Sequence, residues 1–238
     1  MNKIRINKYL ASIGVASRRK VDQMVFEGRI SVNGSPVKTS GFKVDPDKDK
    51  ILVDGQKVLG RESNEKVYIA LNKPKGVVST TSDELGRKTL LDLVKITARV
   101  FPVGRLDQDT SGLILLTNDG ELTQKLTHPK FETPKTYRVY LQGKVDEWQM
   151  NKLKNGVVLK DGKTAPAEVE ILEEKDNRTL LKITIREGKN RQVRRMCAAI
   201  KLNLLELKRV AIGKLELGEL ASGKWRYLTG EEVKFLSA

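Results

Sequence analysis

Residues 104–120 read GRLDQDTSGLILLTNDG. An apolar run that ends at Asn118-Asp119-Gly120 is a buried strand closed by a turn. Two carboxylates, Asp107 and Asp109, stand directly before it. Placed at the entrance of a core, their ionisation is governed by desolvation and by neighbouring charge. Whether they react or simply line a loop depends on what the rest of the chain brings to them.

The 238 residues carry 45 Lys and Arg against 30 Asp and Glu, a formal net charge of +15, which calls for a polyanionic partner. The basic residues are spread along the chain rather than gathered in a tail, so the footprint belongs to folded surface. One cysteine, Cys197, and one histidine, His128, exclude a disulfide framework and a Cys/His metal site. MNKIRINKYLASIG has no apolar stretch of signal-peptide length, and no run reaches the ~18 residues of a membrane span. The expectation is a cytoplasmic protein.

Upstream, the first sixty residues form a unit of their own. Ile6, Leu10 and Ile13 recur at helical spacing and Gly14 closes that helix; Ser17 caps a second, with Val21 and Val25 inward and Gly28 at its end. Asn33-Gly34 and Asp54-Gly55 mark hairpins. The helical side carries Lys3, Arg5, Lys8, Arg18, Arg19 and Lys20, with Arg29 just beyond. Cations this dense on two short helices repel one another unless an anion meets them. RINKYLASIGVASRRKVDQMVFEGRISVNGSPV resembles the S4 RNA-binding domain, and the resemblance implies that these side chains face structured RNA.

GRESNEK, residues 60–66, is polar and led by glycine, a linker signature. The expected organisation is therefore 1–60, a linker at 61–66, and a second domain over 67–238. There VYIALNKP, GVVST, KTYRVYLQG, AEVEILEE, LLKITIREG and LLELKRVAIG read as strands. GELTQKLTH, DEWQMNKLKNG, NRQVRRMCAAIKL and GEEVKFL read as helices, the second with a capping box at Asp146 and Gln149. Many strands with short helices between them predict an α+β fold on a mostly antiparallel sheet.

Several chemistries fall away. DGKT at 161–164 lacks the P-loop glycine, because Gly156 stands one residue too early. His128 ends a helix before a proline, and Cys197 lies mid-helix as a small core residue. Asp107 and Asp109 could form a glycosidase-like pair, or one of them could work alone. A lone working carboxylate needs a cation to keep it ionised, and Arg191, Arg194 and Arg195 in REGKNRQVRRMC supply candidates. Helical spacing puts Arg191 and Arg195 on one face and Arg194 near Arg191. Gripping phosphate is the other role open to them.

GRLDQDTSGLILLTNDG, with NKPKG before it and KTYRV and EGKNRQVRRM after, is similar to the RsuA/RluB-type pseudouridine synthases, which often carry an S4 domain in front. The resemblance implies that Asp107 is the catalytic carboxylate, that Tyr137 lies against the target uracil, and that Arg194 pairs with Asp107. Asp109 and Thr110 would shape the loop. Lys73, Arg105, Arg191 and Arg195 would hold RNA around the target.

It also implies isomerisation of a uridine in ribosomal RNA, or in a pre-ribosomal particle, without a cofactor; a monomer is the expected state for a protein that must dock on a bulky particle. The GKWRYLTGEEVKFL tail favours a large-subunit target (RluB-like) over a small-subunit one (RsuA-like). A non-catalytic assembly factor and an RNA N-glycosidase are the rival readings.

Overall fold

A computed structural model of the chain describes residues 3–58 and 65–237, so residues 61–64 of the expected linker lie outside the described residues. The chain divides into two compact units, Met1–Lys66 and Val67–Ala238.

In the first unit, helices α1 (Ile6–Ser12) and α2 (Arg18–Phe26) precede a small antiparallel sheet. Gly14 takes φ +83° behind α1, and the Ser17 hydroxyl accepts from the Lys20 amide at 3.2 Å to start α2. Asn33 and Gly34 both have positive φ, as do Asp54 and Gly55, the geometry of tight hairpin turns that match strand twist. Ile6, Leu10, Val21 and Val25 meet Ile30, Val32 and Ile51 in one core.

The second unit is built on one large sheet. From edge to edge it runs Glu168–Lys175, Arg178–Ile185, Lys135–Gln142, Asn203–Ile212, Ser111–Thr117, Tyr68–Lys73 and Trp225–Tyr227. Adjacent strands are antiparallel except Asn203–Ile212 and Ser111–Thr117, which run parallel through Lys208–Ser111 and Arg209–Gly112. All seven residues of Ser111–Thr117 are buried. Ile114 and Leu116 enter one core, while Leu113 and Leu115 enter the core on the opposite face. Burial on both faces is why this strand reads as a continuous apolar run rather than an alternation.

On one face of the sheet lie helices α4 (Glu147–Asn155) and α5 (Gln192–Ala199), which reach the first core through Leu153, Val193 and Met196. Helices α3 (Gly120–Thr127) and α6 (Gly230–Ser237) cover the other, through Leu122, Leu126 and Leu236. The Asp146–Gln149 capping box forms at α4, and Thr229 caps α6 with Glu232.

GVVST does not join the sheet. Its backbone groups are taken by neighbouring loops, Gly76 donating to the Gln108 carbonyl at 2.8 Å and Val78 to that of Lys88 at 2.9 Å. Among the described residues, no helix is long and apolar enough to cross a membrane.

Candidate active site

The turn after Lys73 clamps the loop that carries the two aspartates. Gly76 and Gln108 exchange bonds, backbone at 2.8 Å and Gln108 side chain to the Gly76 carbonyl at 3.1 Å. Ser79 grips the same loop at Leu106, its hydroxyl accepting from the Leu106 amide at 3.0 Å and donating to the Leu106 carbonyl at 2.6 Å. The Thr110 amide donates back to the Asp107 carbonyl at 3.1 Å, so Asp107 to Thr110 is a closed turn and not an extended segment. The two carboxylates thereby meet Arg191 at unequal distances.

Asp109 is the hub. Arg191 donates to both its oxygens, at 3.0 and 2.8 Å, and the Nε of Arg194 lies 3.4 Å from one of them. Arg194 Nη2 donates to the Asp109 carbonyl at 2.8 Å and to the Thr110 hydroxyl at 3.3 Å. The Arg191 hydrogen bonds hold the Asp109 carboxyl below the usual carboxylate range, against the pull of partial burial.

Among the described residues, the Asp107 carboxylate accepts no side-chain hydrogen bond. Its side chain is 26% exposed, and the guanidinium facing it is that of Arg191, at 3.7 Å. The expected pairing of Asp107 with Arg194 is thus corrected: Arg194 binds the backbone and hydroxyl of the next turn residues. Arg191 precedes α5 with φ +47°, a left-handed conformation outside the helix. That turn of the backbone takes Arg191 off the helical face it was expected to share with Arg195. Arg195 instead makes a two-point pair with Asp161, at 2.7 and 3.1 Å.

Tyr137 is 8% exposed and shares a buried cluster with Leu106, the residue before Asp107, and with Val193 of α5. One core therefore joins the three segments that carry Asp107, Tyr137 and Arg191. In the sheet Tyr137 sits opposite Arg209, and Arg209 opposite Gly112. At a strand spacing of ~4.8 Å this puts the Tyr137 backbone about 10 Å from the strand that follows the aspartate loop.

Lys73 does not reach the surface. It is fully enclosed and donates to the carbonyls of Val77 at 2.7 Å and Pro74 at 3.0 Å. Burial pushes its ammonium pKa down to about 8, with the charges of Asp109 and Asp107 opposing the shift. Its expected grip on RNA is therefore replaced by a tie within the turn that clamps the aspartate loop. Arg29 is likewise engaged at home, with Asp54 at 2.8 and 2.7 Å and Glu27 at 3.2 Å. Lys3, Arg5, Lys8, Arg18, Arg19, Lys20 and Arg105 are exposed.

Sequence reasoning missed Arg209. It is 3% exposed, donates through Nε to the Leu113 carbonyl at 2.8 Å, and has an Nη2 without a hydrogen-bond partner among the described residues. An arginine inside the strand LLELKRVAIG was the available signal.

A carboxylate kept beside a guanidinium, on a loop joined through one core to a buried tyrosine, suits a reaction that stabilises positive charge at a sugar carbon. The comparisons with known proteins name that reaction. The RNA pseudouridylate synthase family matches residues 67–199 and the S4 domain matches residues 4–51. The chain belongs to the RNA pseudouridylate synthase family, with an S4 domain at its N-terminal end.

Ribosomal large subunit pseudouridine synthase B of Bacillus subtilis is 46% identical to it over 237 residues, covering 98% of this chain and 96% of the relative. An RNA pseudouridine synthase of Aquifex aeolicus is 44% identical over 235 residues, covering 98% and 93%. A solved crystal structure of a pseudouridylate synthase superposes with TM-score 0.71 at 32% identity, covering 98% of this chain and 99% of that one.

Proposed function

We propose that this enzyme isomerises a specific uridine of large-subunit ribosomal RNA, with Asp107 as the catalytic carboxylate. The observation that carries the assignment is the division of labour in the loop. Asp109 is fully engaged by Arg191 and Arg194, while Asp107 keeps open oxygens beside the same Arg191. Large-subunit specificity is supported by the 46% identity to the Bacillus subtilis protein. The enzyme acts as a monomer in the cytoplasm, where ribosomal RNA is assembled.

The target lies within folded RNA and must be swung into the site at a cost of a few kcal/mol. Exposed cations of the S4 unit, Lys3, Arg5, Lys8, Arg18, Arg19 and Lys20, meet the backbone and offset that cost. Asp107 then either attacks the ribose C1′ or draws a proton from C2′ to form a glycal, and the N1–C1′ bond breaks. The freed uracil turns while confined by Tyr137 and rebonds from C5 to C1′, which releases the Asp107 carboxylate from C1′ in the first route and returns the proton to C2′ in the second. Loss of the C5 proton and gain of one at N1 complete an isomerisation in which no atom is added. Neither redox chemistry nor phosphoryl transfer enters, so no cofactor is required.

Incubating transcribed large-subunit ribosomal RNA with the protein tests this. The expected product has unchanged mass and one new carbodiimide-reactive nucleotide, absent with Asp107→Asn. An abasic product would make the protein an N-glycosidase, and unaltered RNA would make it a binding factor. A modified nucleotide that maps to small-subunit RNA instead would overturn the target assignment alone.

A further inference from the structure

On the second unit, an aromatic and basic strip leads away from the aspartate loop. Gly104, which opens that loop, lies against the end of α3: a Cβ there would come within 3.5 Å of the Thr127 methyl. After α3 the chain turns through a single 3-10 turn, Pro129–Phe131, and then enters the strand that carries Tyr137. Phe131 is 43% exposed, with the Lys130 ammonium 4.6 Å from its ring centre.

Next to it stands a second such pair. Gly213 donates to the Pro134 carbonyl at 2.8 Å and packs near Thr133 and Leu236, so the segment after the Arg209 strand adjoins the turn. Lys214 follows, its ammonium 5.5 Å from the ring centre of Phe235 on α6, and Phe235 is 54% exposed. Lys125 of α3 closes the strip by donating to the Ser237 carbonyl at the end of α6.

Two large rings left half in water, each beside an ammonium, are poor choices for an inert surface. Exposed aromatics interleaved with lysines are what a single-stranded nucleic acid requires. The rings accept base faces whatever the sequence, and the cations meet the phosphates between them. Lys130 and Lys214 are the cations beside the rings, with Glu132 in the turn and Glu231 on α6 one helical turn before Phe235. A protein partner would instead ask for a continuous apolar patch, and here a lysine stands over each ring.

We propose that this strip is a subsite for unpaired RNA: bases adjoining the target uridine stack on Phe131 and Phe235 while Lys130 and Lys214 meet the intervening phosphates. This rests on the isomerase reading and extends it, placing a determinant of target choice on the catalytic unit, apart from the S4 helices.

The test uses the full-length protein and two labelled probes of equal length, a short oligouridine and its abasic analogue. The wild type is expected to prefer oligouridine. Phe131→Ala with Phe235→Ala should lose about tenfold in affinity for oligouridine and nothing for the abasic strand. Tyrosine at both positions should restore the preference and leucine should not, since leucine keeps the apolar bulk but has no π face. Both rings are half exposed, and equal thermal melts will show that the fold is intact.

An alanine variant that binds oligouridine as the wild type does, or a leucine variant that restores binding, overturns the subsite. Conversion of transcribed ribosomal RNA by the wild type reports on the isomerase reading separately. With the subsite present, the alanine variant raises KM about tenfold and keeps kcat at saturating RNA.

Discussion

Arg191 holds both oxygens of Asp109, at 3.0 and 2.8 Å, while its Nη1 stands 3.7 Å from Asp107. One guanidinium thus serves two carboxylates in unequal ways. The tight pair fixes the side chain, and the looser approach leaves Asp107 uncommitted. A cation pinned by a spectator carboxylate needs no reordering when charge develops at the neighbouring one, which is the advantage of a preorganised site.

The two aspartates should therefore separate under substitution. Asp107→Asn is expected to abolish turnover with unchanged melting temperature and RNA affinity, and conversion above a few per cent of wild type would refute the assignment. Asp109→Asn is expected to lower both activity and stability, the latter by about 1 kcal/mol because the pair is partly exposed to solvent. Asp109 has a depressed folded-state pKa, so its contribution is present above the unfolded carboxylate value and is lost as pH falls through the lower folded one. Acid titration of stability in the wild type against Asp109→Asn measures that share. Identical acid limbs would contradict the pairing.

Arg191 should be worth more to catalysis than Arg194. Arg191→Gln is expected to reduce kcat by at least about tenfold at saturating RNA. Arg194→Gln, which loses bonds to the Asp109 carbonyl and the Thr110 hydroxyl, should reduce it less. An equal or larger loss in Arg194→Gln would return the pairing to Arg194.

Lys73 makes stability depend on alkali. Its folded pKa is about 8 against an ordinary 10.5. Between those values the unfolded chain binds more protons than the folded one, so the Lys73 share of stability rises with pH. Urea unfolding from neutral pH to about pH 10 should show a shallower rise in Lys73→Met than in the wild type. The variant will also lose the donor that the carbonyls of Pro74 and Val77 share, which lowers its stability. Parallel curves would mean that the ammonium is solvated.

What can be read from the sequence follows a physical line. Periodicity reports burial along regular elements, so the strand under LILL, the Tyr137 strand and the capped helices are all legible. GVVST is not, because an apolar loop packed beside the sheet has the same composition as a short strand and only its hydrogen-bond partners tell them apart. Charge is equally mute about depth: Lys73 and Arg105 look alike in sequence, and one is enclosed while the other is exposed. The arginine pairing differs from expectation for a local reason. Helical spacing applies to Arg191 only if the helix includes it, and its φ of +47° takes it out of the helix and aims it at the loop.

Gly112 tests how the aspartate loop is joined to the sheet. It stands two residues past the turn that Thr110 closes, has φ +108°, and pairs in parallel with Arg209. A Cβ there would lie 2.1 Å from the Arg209 carbonyl oxygen and 2.6 Å from its nitrogen, both backbone atoms that cannot swing aside. Gly112→Ala must then part the two strands or distort a conformation that L-residues rarely adopt. Both routes also displace Arg209, whose Nε bond to the Leu113 carbonyl ties its side chain to the neighbouring strand. The next residue offers no relief, since Leu113 is itself fully buried. The expected loss is about 3 kcal/mol or more in urea unfolding, together with loss of turnover. A variant within about 1 kcal/mol of wild type would show that the strands approach less closely than this geometry requires.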